Sequence, residues 1–132
     1  MEPRPVALGL TLCDYVIVEE RTKKVSLIGT FTGLGVADFP ALAPPFSVFA
    51  LLTDGLGSAT MELVVTRLET NDQIYSHTGD LMFPDKVAEV AYHLRSQRCV
   101  FPAPGLYQFT LMVDGDWVAQ RRLRVYKREI QI

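Results

Sequence analysis

The stretch Tyr107-Gln108-Phe109-Thr110-Leu111-Met112-Val113-Asp114-Gly115-Asp116-Trp117 decides the fold class. Tyr107, Phe109, Leu111 and Val113 alternate with Gln108, Thr110 and Met112, so a strand here has one apolar side and one mixed side. Asp114-Gly115 follows, a pair that accepts positive φ and is among the strongest short-range hairpin signals. The closing strand runs from Trp117 to Tyr126, with Leu123 and Val125 facing inward.

Outward from this hairpin the vocabulary stays the same. Val, Leu, Phe, Tyr and Thr fill the segments, and Gly, Pro and Asp punctuate them. The pattern predicts a first strand from about Val6 to Val18, in which Leu8, Leu10 and Leu12 share a face and a bend near Cys13-Asp14 switches it. The charged segment 19–24 makes a hairpin connection into a strand from Val25 to Thr32. A long loop from Gly33 to Pro45 comes next. Phe46 to Thr53 is apolar on both faces, which suits a central strand covered on both sides or one that meets a partner. Further strands are expected at Ala59–Thr70, Gln73–Thr78, Leu81–Phe83 and Val87–Leu94, with Cys99-Val100-Phe101 leading into the final hairpin. No segment holds a helical period. Seven to nine short strands at this spacing predict an all-β antiparallel sandwich over a single domain, residues 1–132, with a small β-barrel as the structural alternative.

Hydrophobic residues make up 48% of the chain, ample for a core without staples, and the net charge is −2. That balance argues against a dominant grip on nucleic acid or on an anionic membrane, and leaves room for a local basic patch. No apolar run approaches the roughly 18–20 residues of a membrane-spanning helix. Met1-Glu2-Pro3-Arg4-Pro5 lacks the pattern of a secretory leader, so the expected setting is cytoplasmic. Cys13 and Cys99 both sit in apolar strand-like runs and read as two reduced thiols acting as small buried hydrophobes.

Two resemblances follow from particular residues. The run from Pro104 to Gly115 resembles a late strand of immunoglobulin-like sandwiches, in which a Tyr at the start of the strand anchors the corner through its hydroxyl. Tyr107 is the matching position. The antibody landmarks are missing: no Cys lies two residues after Tyr107, and Trp117 stands in the closing strand. The segments Cys13–Glu20 and Lys24–Phe31, with Phe39-Pro40 and Phe46–Ala50, resemble a family of small uncharacterised bacterial proteins over nearly the whole chain. That resemblance implies a bacterial origin and brings no catalytic residues, cofactor or activity.

The residues that carry chemistry are few. His77 and His93 are the only histidines, and no Gly-x-Ser-x-Gly motif accompanies them. Two Cys and two His show no zinc-ligand spacing. Asp54, Asp114 and Asp116 in turns, with Asp38 and Asp85 in loops, allow a calcium-dependent binding module, although Asp favours turns with or without a metal. Gly33-Leu34-Gly35 and Gly55-Leu56-Gly57-Ser58 are glycine-rich without a Walker motif or a following helix, and loop flexibility explains them. No cofactor and no enzymatic activity are expected.

Two surfaces stand out. Arg122, Arg124, Tyr126 and Arg128 share one face of the last strand, a basic stripe suited to an anionic partner. The plainer reading is a solvated face that also keeps an edge strand from pairing. Phe39 and Leu42, in the long loop, either cover one end of the core or anchor a partner or a second copy. The expected function is a non-enzymatic protein-binding or scaffold domain, with a homodimer through apolar strand faces such as Phe49 and Leu51. The main alternative is a small-ligand or carbohydrate-binding sandwich that uses Tyr15, Tyr75, Tyr92, Trp117 and Tyr126 for stacking.

Overall fold

The computed structural model describes residues 4–129. Residues 1–3, which open the N-terminal reading, and residues 130–132, which close the single-domain span, lie outside the described residues. The chain forms β1 (Val6–Val18), β2 (Val25–Thr30), β3 (Gly33–Val36), β4 (Ala41–Leu42), β5 (Phe46–Thr53), β6 (Gly57–Arg67), β7 (Asp72–Phe83), β8 (Val90–Ser96), β9 (Val100–Phe101), β10 (Gly105–Val113) and β11 (Asp116–Lys127). These make a four-stranded sheet in the order β2-β1-β5-β8 and a five-stranded sheet in the order β3-β11-β10-β6-β7. A small pair, β4-β9, stands apart from both.

Period-two alternation gives each large sheet one apolar face, and the two faces close on each other. Leu10, Leu12, Val48, Ala50, Leu52, Tyr92 and Leu94 from the four-stranded sheet meet Met61, Leu63, Val65, Phe109, Leu111, Leu123 and Val125 from the five-stranded sheet in one buried cluster. The Phe46 and Phe109 rings meet edge to face across the seam at 6.0 Å, and Phe31 extends the contact with a ring 5.9 Å from Phe46. This is the β-sandwich that the alternation predicts. The β4-β9 pair brings Phe101 under one end, where its ring lies 4.8 Å from Tyr107.

Tyr107 is fully buried at the start of β10, and its hydroxyl donates to the Ala103 carbonyl at 2.6 Å. The same oxygen accepts from the Ala103 amide at 3.4 Å. The corner bond implied by the resemblance at Tyr107 is therefore present. The Asp114-Gly115 turn has φ of 50° and 84°, the positive values that this pair tolerates.

Several local expectations change. The Gly33–Pro45 segment holds two short strands, and β3 pairs with β11 in parallel, Arg124 opposite Gly33 and Tyr126 opposite Gly35. The sheet is thus not purely antiparallel. The segments expected as separate strands at Gln73–Thr78 and Leu81–Phe83 form one strand, because Gly79 and Asp80 keep their pairing with Met61 and Thr60. The register shift in β1 falls between Ala7 and Gly9, not at Cys13-Asp14. At Asp14 the adjustment is made on β2 instead: Gly29 takes φ of 68°, and a Cβ there would collide with the Asp14 carboxylate.

Replacing Tyr107 by Phe keeps the ring packing and removes the corner bond. The expected cost is about 1–3 kcal/mol, read as a lower denaturant midpoint at unchanged slope.

Candidate functional site

The basic stripe lies on the outer face of the five-stranded sheet. Inward positions of β11 go to Leu123 and Val125, both buried, so Arg122, Arg124, Tyr126 and Arg128 turn outward, and all four are exposed. Cross-strand neighbours add polar groups: Gln108 lies opposite Arg122 and Thr110 opposite Gln120. A register shift between Leu111 and Met112 then sets Trp117 opposite Met112, and Trp117 is 61% exposed at the end of the same face. The indole N–H donates to the Ala119 carbonyl at 3.0 Å, which holds the ring against its own strand.

Gly33 and Gly35 have a defined task here. The Tyr126 ring lies across both, and the Arg128 stem crosses Gly35, so a Cβ at Gly35 would collide with both side chains. The glycines clear a track for the stripe. The parallel pairing with β3 covers β11 only from Arg124 to Lys127, while Arg122 stands on the stretch that pairs with β10 alone, where a cation also guards an edge. Lys127 pairs with Asp38 at 3.4 Å; among the described residues, Arg122, Arg124 and Arg128 have no carboxylate partner.

The long-loop residues separate. Phe39 is half-buried and packs against the core cluster. Leu42 is 62% exposed and faces Val100 in the β4-β9 pair. Phe49 and Leu51 are half-buried on the outer face of the four-stranded sheet, where β5 is flanked by β1 and β8.

On that same outer face the structure gathers a cluster that the sequence did not reveal. Ser47 and Cys13 are paired across β5 and β1, and neither has exposed surface. The Ser47 Oγ lies 3.1 Å from His93 Nε2 and accepts a hydrogen bond from Arg95 Nη1, also at 3.1 Å. The same Arg95 nitrogen donates to the Asp14 carbonyl at 2.7 Å, and the guanidinium lies 4.8 Å over the Tyr15 ring. Burial, and then the neighbouring Arg95, hold the His93 imidazole below its ordinary pKa. Burial foremost, with Asp14 adding, pushes the Cys13 thiol up. Ser47 has no exposed surface, and its Oγ is held between His93 and Arg95. The arrangement is a clamp: Arg95 ties three strands together. Only the β5-β8 register brings Ser47, His93 and Arg95 together, and no local motif encodes it.

The remaining candidates disperse. Asp38 is taken by Lys127, Asp85 Oδ1 accepts from the amides of Val87 and Ala88, and Asp114 Oδ1 accepts from the Thr60 amide at 2.8 Å. Among the described residues no three of His, Cys, Asp and Glu come close enough to share a cation. Tyr75 and Tyr92 belong to the core, Tyr15 to the outer face of the four-stranded sheet, and Trp117 and Tyr126 to that of the five-stranded sheet. The five aromatics therefore line no common cleft. His77 lies beside the Tyr92 ring at 6.4 Å. Cys13 and Cys99 are both buried and free.

The family of unknown function DUF6941 matches residues 8–126, and the chain belongs to that family. Among curated proteins none matches the chain. Among the described residues no helix is long and apolar enough to cross a membrane.

Burial pushes the Cys99 thiol up to about 12, and Cys13 is also raised. A chromogenic disulfide reagent at mildly alkaline pH should find no reactive thiol in the native protein and two after denaturation. His93 titrates with the opposite sense. Its folded pKa is lowered from 6.5, so its neutral form supports the fold above that value, and the support is lost as pH falls through it. Thermal melts across mildly acidic pH should fall more steeply for the wild type than for His93→Gln.

Proposed function

We propose that this member of DUF6941 is a non-enzymatic protein-binding domain that docks an acidic protein surface on the outer face of its five-stranded sheet. One observation carries the reading: Arg122 and Arg124 on β11 and Arg128 just past its end are exposed and without carboxylate partners among the described residues. Tyr126 beside them and Trp117 at the end of the face add large, stiff contact area. Arg, Tyr and Trp are the residue types that dominate protein interfaces energetically. Their charges attract an anionic patch and orient it, while the flat sheet supplies area.

Protein is favoured over nucleic acid because the chain as a whole is acidic, at −2, and repels a polyanion away from this face. We take the sandwich as one immunoglobulin-like domain. Support comes from the Tyr107 corner bond, from the successive crossings β5 to β6, β7 to β8 and β8 to β10 between sheets, and from the terminal β10-β11 hairpin. Two free thiols suit a reducing compartment, which supports a cytoplasmic setting. The resemblance of the N-terminal segments supports a bacterial source.

The test is capture from a lysate of the source organism with tagged wild-type protein and with the double variant Arg122→Glu/Arg124→Glu. The wild type should retain a stoichiometric, salt-sensitive partner with an acidic surface. The double variant should bind it at least ~10-fold more weakly. Equal recovery of all captured proteins by both forms would overturn the proposal.

A further inference from the structure

Alternation along β11, β10, β6 and β7 decides which charges reach the outer face of the five-stranded sheet. Those positions hold Arg122 and Arg124 on β11, Glu62 on β6 and Asp80 on β7, with Arg128 past the end of β11. Asp114, in the β10-β11 turn, joins the carboxylates. Its Oδ1 accepts from the Thr60 amide, Thr60 stands opposite Asp80, and Asp80 and Asp114 border one hollow. Among the described residues, none of Glu62, Asp80 and Asp114 has a cationic partner.

The two signs occupy opposite ends of the face. Residues 54–66, 73–83 and 108–120, which carry these carboxylates, contain no Lys or Arg, and residues 121–128 contain no Asp or Glu. Asp54 and Asp116 in neighbouring turns only add to the acidic end, and the loop beyond β7 brings Asp85 and Glu89 against the single Lys86. At the basic end, Arg121, Lys127 and Arg67 have the inward parity, opposite Phe109, Val36 and Tyr107. Lys127 is bridged to Asp38 and Arg67 to Glu69, and Asp72 stands in register with Arg67. Glu129 follows Arg128 and borders the hollow of Asp38 and Lys127, so Arg122 and Arg124 set the sign of this end.

We infer that the acidic surface docked on this face belongs to a second copy of the chain, the two five-stranded sheets meeting face to face about a two-fold axis. A two-fold interface brings one patch against itself, so the patch must complement its own rotated image. Two separated clusters of opposite sign meet that requirement. With the axis passing between them, near the paired residues Thr110 and Val64, Arg122 and Arg124 of each copy face Glu62 and Asp80 of the other, and the contact is made twice. Rotation about the line that joins the clusters would set like charges together, so charge also selects the orientation. Between the clusters the face is neutral, with Gln108 opposite Thr66 and Val64 opposite Ser76. The dimer presupposes that the face docks an acidic protein surface, as proposed above, and draws that surface from the chain itself.

Sedimentation velocity over a concentration series tests it. Wild type should be a dimer that weakens as salt is added. Arg122→Glu/Arg124→Glu and Glu62→Lys/Asp80→Lys should each fold, by circular dichroism, and dimerise at least ~10-fold more weakly, because like charges then meet at both contacts. An equimolar mixture of the two variants should dimerise again, since opposite signs meet at both contacts of the mixed pair. The single variants Arg124→Glu and Asp80→Lys, mixed in the same way, decide if a double variant fails to fold. A monomeric wild type, variants that dimerise as well as the wild type, or a mixture no more dimeric than its components would each overturn the dimer. A monomeric wild type that captures a different acidic protein, lost with Arg122→Glu/Arg124→Glu, would overturn the dimer and leave the acidic-surface reading standing.

Discussion

The structure depends on the dry seam between its two sheets. Neither cysteine is bridged, so cohesion comes from apolar side chains on every strand but β2. That burial is non-directional and sets no register by itself. Register comes from the rule that a one-residue slip would send every buried side chain to the outside. Phe109 illustrates both effects. It fills the seam against Phe46, and its position inside fixes Gln108 and Thr110 outside, which in turn places Arg122 and Gln120 on the exposed face. Surface chemistry in this protein is therefore a consequence of core alternation.

Once the inner faces are committed, the outer faces differ in kind. The five-stranded sheet shows arginines, amides and hydroxyls on β11 and β10, and carries Glu62 and Asp80 on β6 and β7. The four-stranded sheet covers its outer polar groups, Ser47 and Cys13, with Arg95 and Tyr15. A guanidinium can do this because its planar fork donates in fixed directions while its face rests on an aromatic ring. Arg95 sits where β1 parts from β5, and there it contacts both strands. Without such a tie, nothing in the four-stranded sheet would hold residues 14–18 in line with it.

What could be read from the chain follows this division between local and long-range order. Bounds of β1 and β5 match their expected spans because alternation and flanking turns are local signals. The inward set on β10 and β11 and the shared face of Arg122, Arg124, Tyr126 and Arg128 were legible for the same reason. Strand β3 was not: its four residues hold two glycines, and only pairing with β11, some ninety positions later, makes it a strand. The Ser47–His93–Arg95 cluster was hidden likewise, since the three residues meet through a β5-β8 register that no spacing announces. The adjustment at Asp14 was misplaced because an apolar strand interrupted by a carboxylate looks bent, whereas the partner strand can yield instead through Gly29.

The position of β11 in its sheet bears most on function. On an edge strand, a row of cations has a sufficient explanation in keeping other strands away. From Arg124 to Lys127 the strand gains nothing from that protection, because β3 and β10 pair with both its sides there, whereas Arg122 lies on the stretch that β10 alone pairs. Aligned arginines at alternate positions repel one another, modestly in water, and more when ionic strength is low. Nothing in the packing requires them, since their neighbours Gln108 and Thr110 show that neutral polar groups suit the same face. The two glycines of β3 sharpen the point. Their lack of a side chain serves to let Tyr126 and Arg128 lie across the neighbouring strand, so two adjacent strands are shaped around the presentation of these side chains. The repulsion between the arginines is what the proposed acidic partner would relieve.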